Sequence, residues 1–172
     1  MKFFTLFFFL LLSFTLLSAS EKEDKVKGVI LSRISQFITY KNGKQEFIIC
    51  VYDNKEMYES LVDLYKNKDH GSVPIKIVNL AEGELMPKCD ILYVNHPSVS
   101  LRKELKHSPL PYTLLVTDSV EYLDDGFMLA LYLQKNKLNI AINQQALLNA
   151  KLKVNYRLLK VASKIVNPVK SQ

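Results

Sequence analysis

The chain has 172 residues, a formal net charge of +6 and two cysteines. A moderate positive balance suits contact with acidic surfaces and does not by itself point to nucleic acid, which an exported protein rarely meets. The length allows one domain that buries a core of its own, and no apolar run beyond the first twenty residues is long enough to cross a membrane.

In chain order, Met1-Lys2 is a short basic start, Phe3 to Leu12 is almost unbroken apolar, and Ser18-Ala19-Ser20 precedes the charged Glu21-Lys22-Glu23-Asp24. This is the layout of a secretory signal peptide, with cleavage expected near Ser20. The alternative is an uncleaved anchor. The apolar run ends at Leu17, short of the roughly 20 residues a comfortable span needs, which favours cleavage. Residues 1–20 are therefore read as leader and 21–172 as a single exported domain. No cysteine stands at the cleavage site for a lipid anchor.

Lys25 to Ile38 predicts a helix, with Val26, Val29, Ile30, Ile34 and Phe37 on one face, ended by the turn residues Tyr40 to Lys44. Phe47 to Tyr52 is apolar throughout, as in a strand covered on both faces. Met57, Leu61, Leu64 and Tyr65 mark a helix; His70-Gly71-Ser72 reads as a loop. Ile75 to Leu80 is a strand whose Lys76 and Asn79 place it toward an exposed edge, and Asp90 to Val94 is a buried strand. Leu101 and Leu105 mark a short helix, and His107 to Pro111 is a connector stiffened by two prolines. The strand Thr113–Thr117 follows, then a turn at Asp124-Asp125-Gly126. Two further strands, Phe127–Leu133 and Leu138–Asn143, form a hairpin. A long basic amphipathic helical region ends the chain, with a break near Asn149-Ala150-Lys151. Strand and helix alternate, so the fold class is α/β: an open, mostly parallel sheet with flanking helices, an antiparallel C-terminal hairpin and a terminal amphipathic helix.

Ligands of open α/β sheets bind beyond the carboxyl ends of the strands. Three strands end in polar residues there: Asp53-Asn54, Asn95-His96 and Asp118-Ser119. Side by side they would form a ligand crevice; the competing account is that Asp, Asn and Ser at strand ends cap turns and helices. A phosphoacceptor role is excluded, because Asn95 stands where the acceptor carboxylate would be. No Gly-rich turn follows the first strand to cradle a nucleotide. His70, His96 and His107 are isolated and lack metal-ligand spacing, so neither metal nor cofactor is expected. Ser119, His96 and Asp118 can be written as a triad, but no nucleophile turn surrounds Ser119, and no catalytic residue is assigned. On the terminal helix, Val154, Leu158, Val161 and Ile165 fall on one line. Lys153, Arg157, Lys160 and Lys164 fall on the adjoining one. This cationic line is either a solvated face or a strip set against an acidic partner or an anionic bilayer. Cys50 and Cys89, an even count in an oxidising compartment, read as a disulfide or as two buried thiols.

Four segments in order carry a family likeness: Val116-Thr117-Asp118-Ser119; Gly126-Phe127-Met128; Asn139-Ile140-Ala141-Ile142-Asn143 running into Ala146; and Leu152-Lys153-Val154 with Leu158-Leu159-Lys160-Val161-Ala162. This set resembles the C-terminal half of the YfiR family of small periplasmic regulators. Phe37-Ile38-Thr39-Tyr40 is similar to the end of that family's opening helix. One departure is Asp125-Gly126, where the family usually has Gly-Gly. The resemblance implies that Cys50 and Cys89 are paired. It also implies that the protein acts by binding rather than catalysis. Its partner would be an inner-membrane signalling protein, a diguanylate cyclase or sensor kinase, held down through its periplasmic domain so that cyclic di-GMP falls. A small-ligand sensor using the crevice is the second reading, and a homodimer is compatible with either.

Overall fold

The structure, a computed structural model, describes residues 22–40, 43, 45–66, 68–84 and 88–167. The leader expected over residues 1–20 lies outside them, as do Lys41, Asn42 and Lys44 of the expected first turn.

The chain opens with α1 (residues 22–35) and a short strand β1 (Ile38–Thr39). Next come β2 (Phe47–Tyr52), α2 (Lys55–Tyr65), β3 (Asp69–His70) and β4 (Val73–Leu80). Then follow β5 (Ile91–Val94), α3 (Val99–His107), β6 (Leu114–Thr117) and a 3-10 helix (Val120–Asp125). The C-terminal part holds β7 (Leu129–Gln134), β8 (Lys137–Asn143), α4 (Gln144–Asn149), β9 (Lys153–Val154), α5 (Tyr156–Val161) and β10 (Lys164–Val166). One eight-stranded sheet carries the order β10-β8-β7-β6-β5-β2-β4-β3, and β1 pairs separately with β9. Within the sheet β7–β8 and β3–β4 are antiparallel and the other pairs parallel. The mixed α/β class matches the expectation from strand–helix alternation.

The sheet reverses direction at β2. The chain leaves β2 for β4 on one side, then crosses back to lay β5 on the other. Right-handed crossovers running in opposite directions put α2 and α3 on opposite faces. This explains why β2 and β5 are apolar along their whole length and β6 is up to its final Thr117: both faces are covered. The first helix layer is tight. A Cβ on Gly28 of α1 would stand 3.1 Å from Leu61 Cδ2 and 3.3 Å from Leu64 Cδ2 of α2, so any side chain at this crossing requires the tips of these two leucines to shift by a few tenths of an ångström.

The junction of β2 with β5 is held by more than strand pairing. Cys50 and Cys89 form a disulfide with Cα atoms 5.9 Å apart. The Asp90 backbone N–H donates to Ile48 O at 2.8 Å, and the Ile48 N–H donates back to Asp90 Oδ2 at 2.8 Å. Thr113 Oγ1 donates to Cys89 O at 2.7 Å, and Leu114 N–H to Asp90 O at 2.8 Å, which adds β6 to the same knot.

Several local expectations need correction. Val26 and Val29 do not face the core; they are 50% and 37% exposed. The buried stripe of α1 runs Asp24, Lys27, Leu31, Ile34 and Ser35 instead, because its first turn lies over the polar ends of the strands. His70 belongs to β3 and pairs with Val73, so only Gly71-Ser72 turn the chain. The turn at Asp124-Asp125-Gly126 is the end of the 3-10 helix. Gly126 closes it at φ +97°, and Asp125 binds Arg102 of α3 at 2.9 Å and Lys106 at 3.5 Å.

The long terminal helix is the largest correction. Among the described residues after Asn149, only Tyr156–Val161 is helical. Val154 lies in β9 and Ile165 in β10, so the expected apolar line is broken at both ends. The cause is competing pairing. β9 has a partner in β1, in the register Ile38↔Val154, and β10 fills the open edge of β8, in the register Ile165↔Ile142. Asn155 caps a new helix start at Arg157 N, and Ser163 N–H and Oγ both donate to Ile140 O, which turns the chain onto β8. The break near Asn149-Ala150-Lys151 is present, with Lys151 at φ +60°.

Two stability measurements follow from this description. Replacing both cysteines, as in Cys50→Ala with Cys89→Ala, should cost about 3–4 kcal/mol in urea unfolding, the loop-closure value for a bridge of this span. Gly126→Ala should cost about 1–2 kcal/mol, because an L side chain is strained at this φ, while Gly126→Asn should cost distinctly less.

Candidate functional site

At the reversal, beyond the carboxyl ends of β2 and β5, lies a cleft of about 390 Å³. An open α/β sheet forms such a crevice where its strand order switches. Tyr52, Asp53 and Asn54 line it from the end of β2, Glu56 from α2, Asn95 and His96 from the end of β5, and Asp118 from the end of β6. The first two turns of α1 supply Glu23, Asp24 and Lys27. The structure thus brings together five of the six residues expected for a crevice. Ser119 is the exception: its hydroxyl accepts from Glu121 N and caps the 3-10 helix. Asn54 does both jobs, lining the cleft while its Oδ1 accepts from Met57 N at 2.8 Å. Asp53 adopts φ +47° as the chain leaves β2, with its N–H bonded to Leu80 O.

The electrostatics of the cleft centre on Lys27. Its side chain is 5% exposed, and its Nζ stands 2.6 Å from Glu23 Oε1 and 3.8 Å from Asp118 Oδ2. Burial pushes the Asp24 and Asp118 carboxyls above the ordinary range, and the Lys27 ammonium offsets this only in part. The Tyr93 phenol is pushed up by burial and then by Asp118, Asp24 and Glu23. Tyr93 sits in register with Val51 and Val116, is fully buried, and its hydroxyl makes no hydrogen bond. Asp118 Oδ1 has no hydrogen-bond partner either.

Five lining residues, Glu23, Asp24, Lys27, Tyr52 and Glu56, were not among the expected crevice residues. For those of α1 the signal was available in the spacing: Asp24 and Lys27 fall on the helical stripe that continues through Leu31 and Ile34. Reading only apolar residues selects Val26 and Val29 and turns the helix away from the site. The three histidines stay apart. His96 lines the cleft, His70 stacks on Phe47 with ring centroids 3.9 Å apart, and His107 bonds the Lys103 carbonyl. Among the described residues no group of three His, Cys, Asp or Glu side chains is arranged to hold a metal ion.

The second candidate surface is basic. Lys153, Arg157, Lys160 and Lys164 are all exposed, but they stand on β9, α5 and β10 rather than on one helix face. Tyr156 and Val161 are exposed beside them, 59% and 66%, whereas Leu158 turns into the core. After Asp125 the sequence contains no Asp or Glu at all. The cations of β9, α5 and β10 therefore have no acidic neighbour on their own segment.

Comparison with curated proteins finds no match for this chain. Comparison with protein families does. The YfiR/HmsC-like family matches residues 24–163, from the first turn of α1 through α5 to the threshold of β10. The matched span includes the β2–β5 junction, the cleft and the Cys50–Cys89 bridge. With most of its length accounted for in this way, the chain belongs to the YfiR/HmsC-like family.

Proposed function

We propose that this protein is exported, loses its leader near Ser20, and works in the periplasm as a binding regulator of an inner-membrane signalling protein. The partner is a diguanylate cyclase or a sensor kinase, bound through its outward-facing domain and held inactive. Membership in the YfiR/HmsC-like family, a family of periplasmic regulators of cyclic di-GMP signalling, is the observation that carries this reading. The lack of a catalytic constellation among the sequence motifs agrees with action by binding.

The surface offered for the contact is the acid-free C-terminal one, with Lys153, Arg157, Lys160 and Lys164 around Tyr156 and Val161. An exposed aromatic and an aliphatic residue supply area to bury. The cations steer an acidic partner toward them, in a manner that weakens with salt. Repression requires that the inactive form of the partner be bound more tightly than the active one. A hundredfold shift in the partner's equilibrium needs a difference of about 2.8 kcal/mol between the two affinities.

The test is capture in intact cells. The tagged protein is cross-linked, and the membrane proteins that come with it are identified, for the wild type and for Lys153→Glu/Arg157→Glu/Lys160→Glu/Lys164→Glu. All four positions are exposed, so the fold should survive. The expected result is one cyclase or sensor kinase, lost on charge reversal. Equal capture by both forms would move the interface elsewhere, and no membrane partner with either form would overturn the regulator reading.

A further inference from the structure

We propose that the cleft at the β2–β5 reversal binds a small organic ammonium ion, with the Lys27 ammonium as its built-in competitor. This inference does not depend on the membrane partner. Its first support is the charge of the walls. Glu23, Asp24, Asp53, Glu56 and Asp118 supply five carboxylates against the single Lys27. An anion is excluded from such a site by repulsion. A bare metal ion would want several ligands converging on one point, and no such group exists among the described residues.

The second support is an acceptor left open on the wall. Asp118 lines the cleft, and its Oδ1 has no hydrogen-bond partner. A buried acceptor without a partner is costly, and an N–H donor from a ligand would satisfy it. Tyr52 adds an aromatic wall, and carboxylates beside an aromatic ring form the usual surroundings of a bound ammonium group. The volume, about 390 Å³, falls at the lower end of small-ligand pockets and has room for roughly a dozen water-sized groups.

Lys27 gives the assignment its sharpest consequence. Its ammonium already lies 2.6 Å from Glu23 and 3.8 Å from Asp118, so the protein solvates part of its own acidic cluster with a tethered cation. The carboxyls of Asp24 and Asp118 nevertheless remain held above their ordinary range. The Lys27 ammonium therefore offsets only part of the cost of burying these carboxyls. A ligand ammonium either joins Lys27 or displaces it toward solvent.

The probe is 1,4-diaminobutane, titrated into the purified protein by calorimetry and by amide chemical-shift mapping, with succinate as the opposite-charge comparator. Saturable binding is expected for the diamine and none for succinate, with shifts concentrated at residues 23–27, 52–56, 95–96 and 118. Asp53→Asn with Glu56→Gln, both exposed positions that leave the core untouched, should weaken binding about tenfold. Lys27→Met keeps the stem, removes the competitor, and should tighten binding by a similar factor. Should Lys27→Met fail to fold, the rim pair and the comparator still decide the matter. Absence of saturation, equal binding of succinate, or shifts spread over all acidic surface residues would each overturn the assignment.

Discussion

Two adjacent residues, Cys89 and Asp90, hold the point on which the architecture turns. β5 must lie beside β2, although β4 precedes it in the chain and already occupies the other side. The bridge from Cys89 to Cys50, the paired hydrogen bonds between Asp90 and Ile48, and the bonds from Thr113 and Leu114 to the same two residues fix three strands at once. Asp90 is 3% exposed, a carboxylate placed where a parallel sheet begins and spare backbone donors need an acceptor. With that corner set, β2, β5 and β6 run out in parallel, and their far ends meet in one place.

The molecule then separates its charges. Acidic groups gather at the strand ends around a single buried lysine, while among charged side chains the last quarter of the chain carries cations alone. The two arrangements have different physical characters. The carboxylates of the cleft are partly withdrawn from water and respond strongly to any cation that enters, because burial weakens solvent screening. The lysines and arginine of β9, α5 and β10 are solvated and act over a Debye length, so they influence how a partner approaches more than how firmly it is finally held. The cleft sits at the β2–β5 junction, whereas the cations are spread over β9, which pairs with β1, over α5, and over β10 at the β8 edge.

Much of this was legible in the sequence wherever one rule dominated locally. Unbroken apolar runs identified β2, β5 and β6. Polar residues at strand ends located five of the cleft residues, and the cysteine count raised the bridge as one of two possibilities. The hairpin was readable from its polar turn, where Lys135 and Asn136 both adopt positive φ. Failures came where a distant partner overrode a local pattern. Residues 153–166 have helical spacing, yet β1 and the edge of β8 claim both ends for strand pairing, and neither claim can be seen from within that segment. The first two turns of α1 bury an aspartate and a lysine because they rest on other polar groups, so a search for apolar faces looks past them. The Asp125 carboxylate finds Arg102 and Lys106 and secures α3 to the 3-10 helix.

The pairing of β1 with β9 has a consequence in time rather than in space. Ile38 meets Val154, so a two-residue strand near the start of the domain waits for one near its end. A chain delivered amino-terminus first, from a ribosome or through a channel, cannot close this contact until almost all of it has emerged. β10, which seals the β8 edge, arrives later still. Contacts of such wide separation slow folding, because the intervening loop must lose its freedom before the contact repays it. Early segments can collapse around β2, β4 and β5, but the complete domain is a late event, and a polypeptide that finishes folding late stays threadable for as long as it is still in transit.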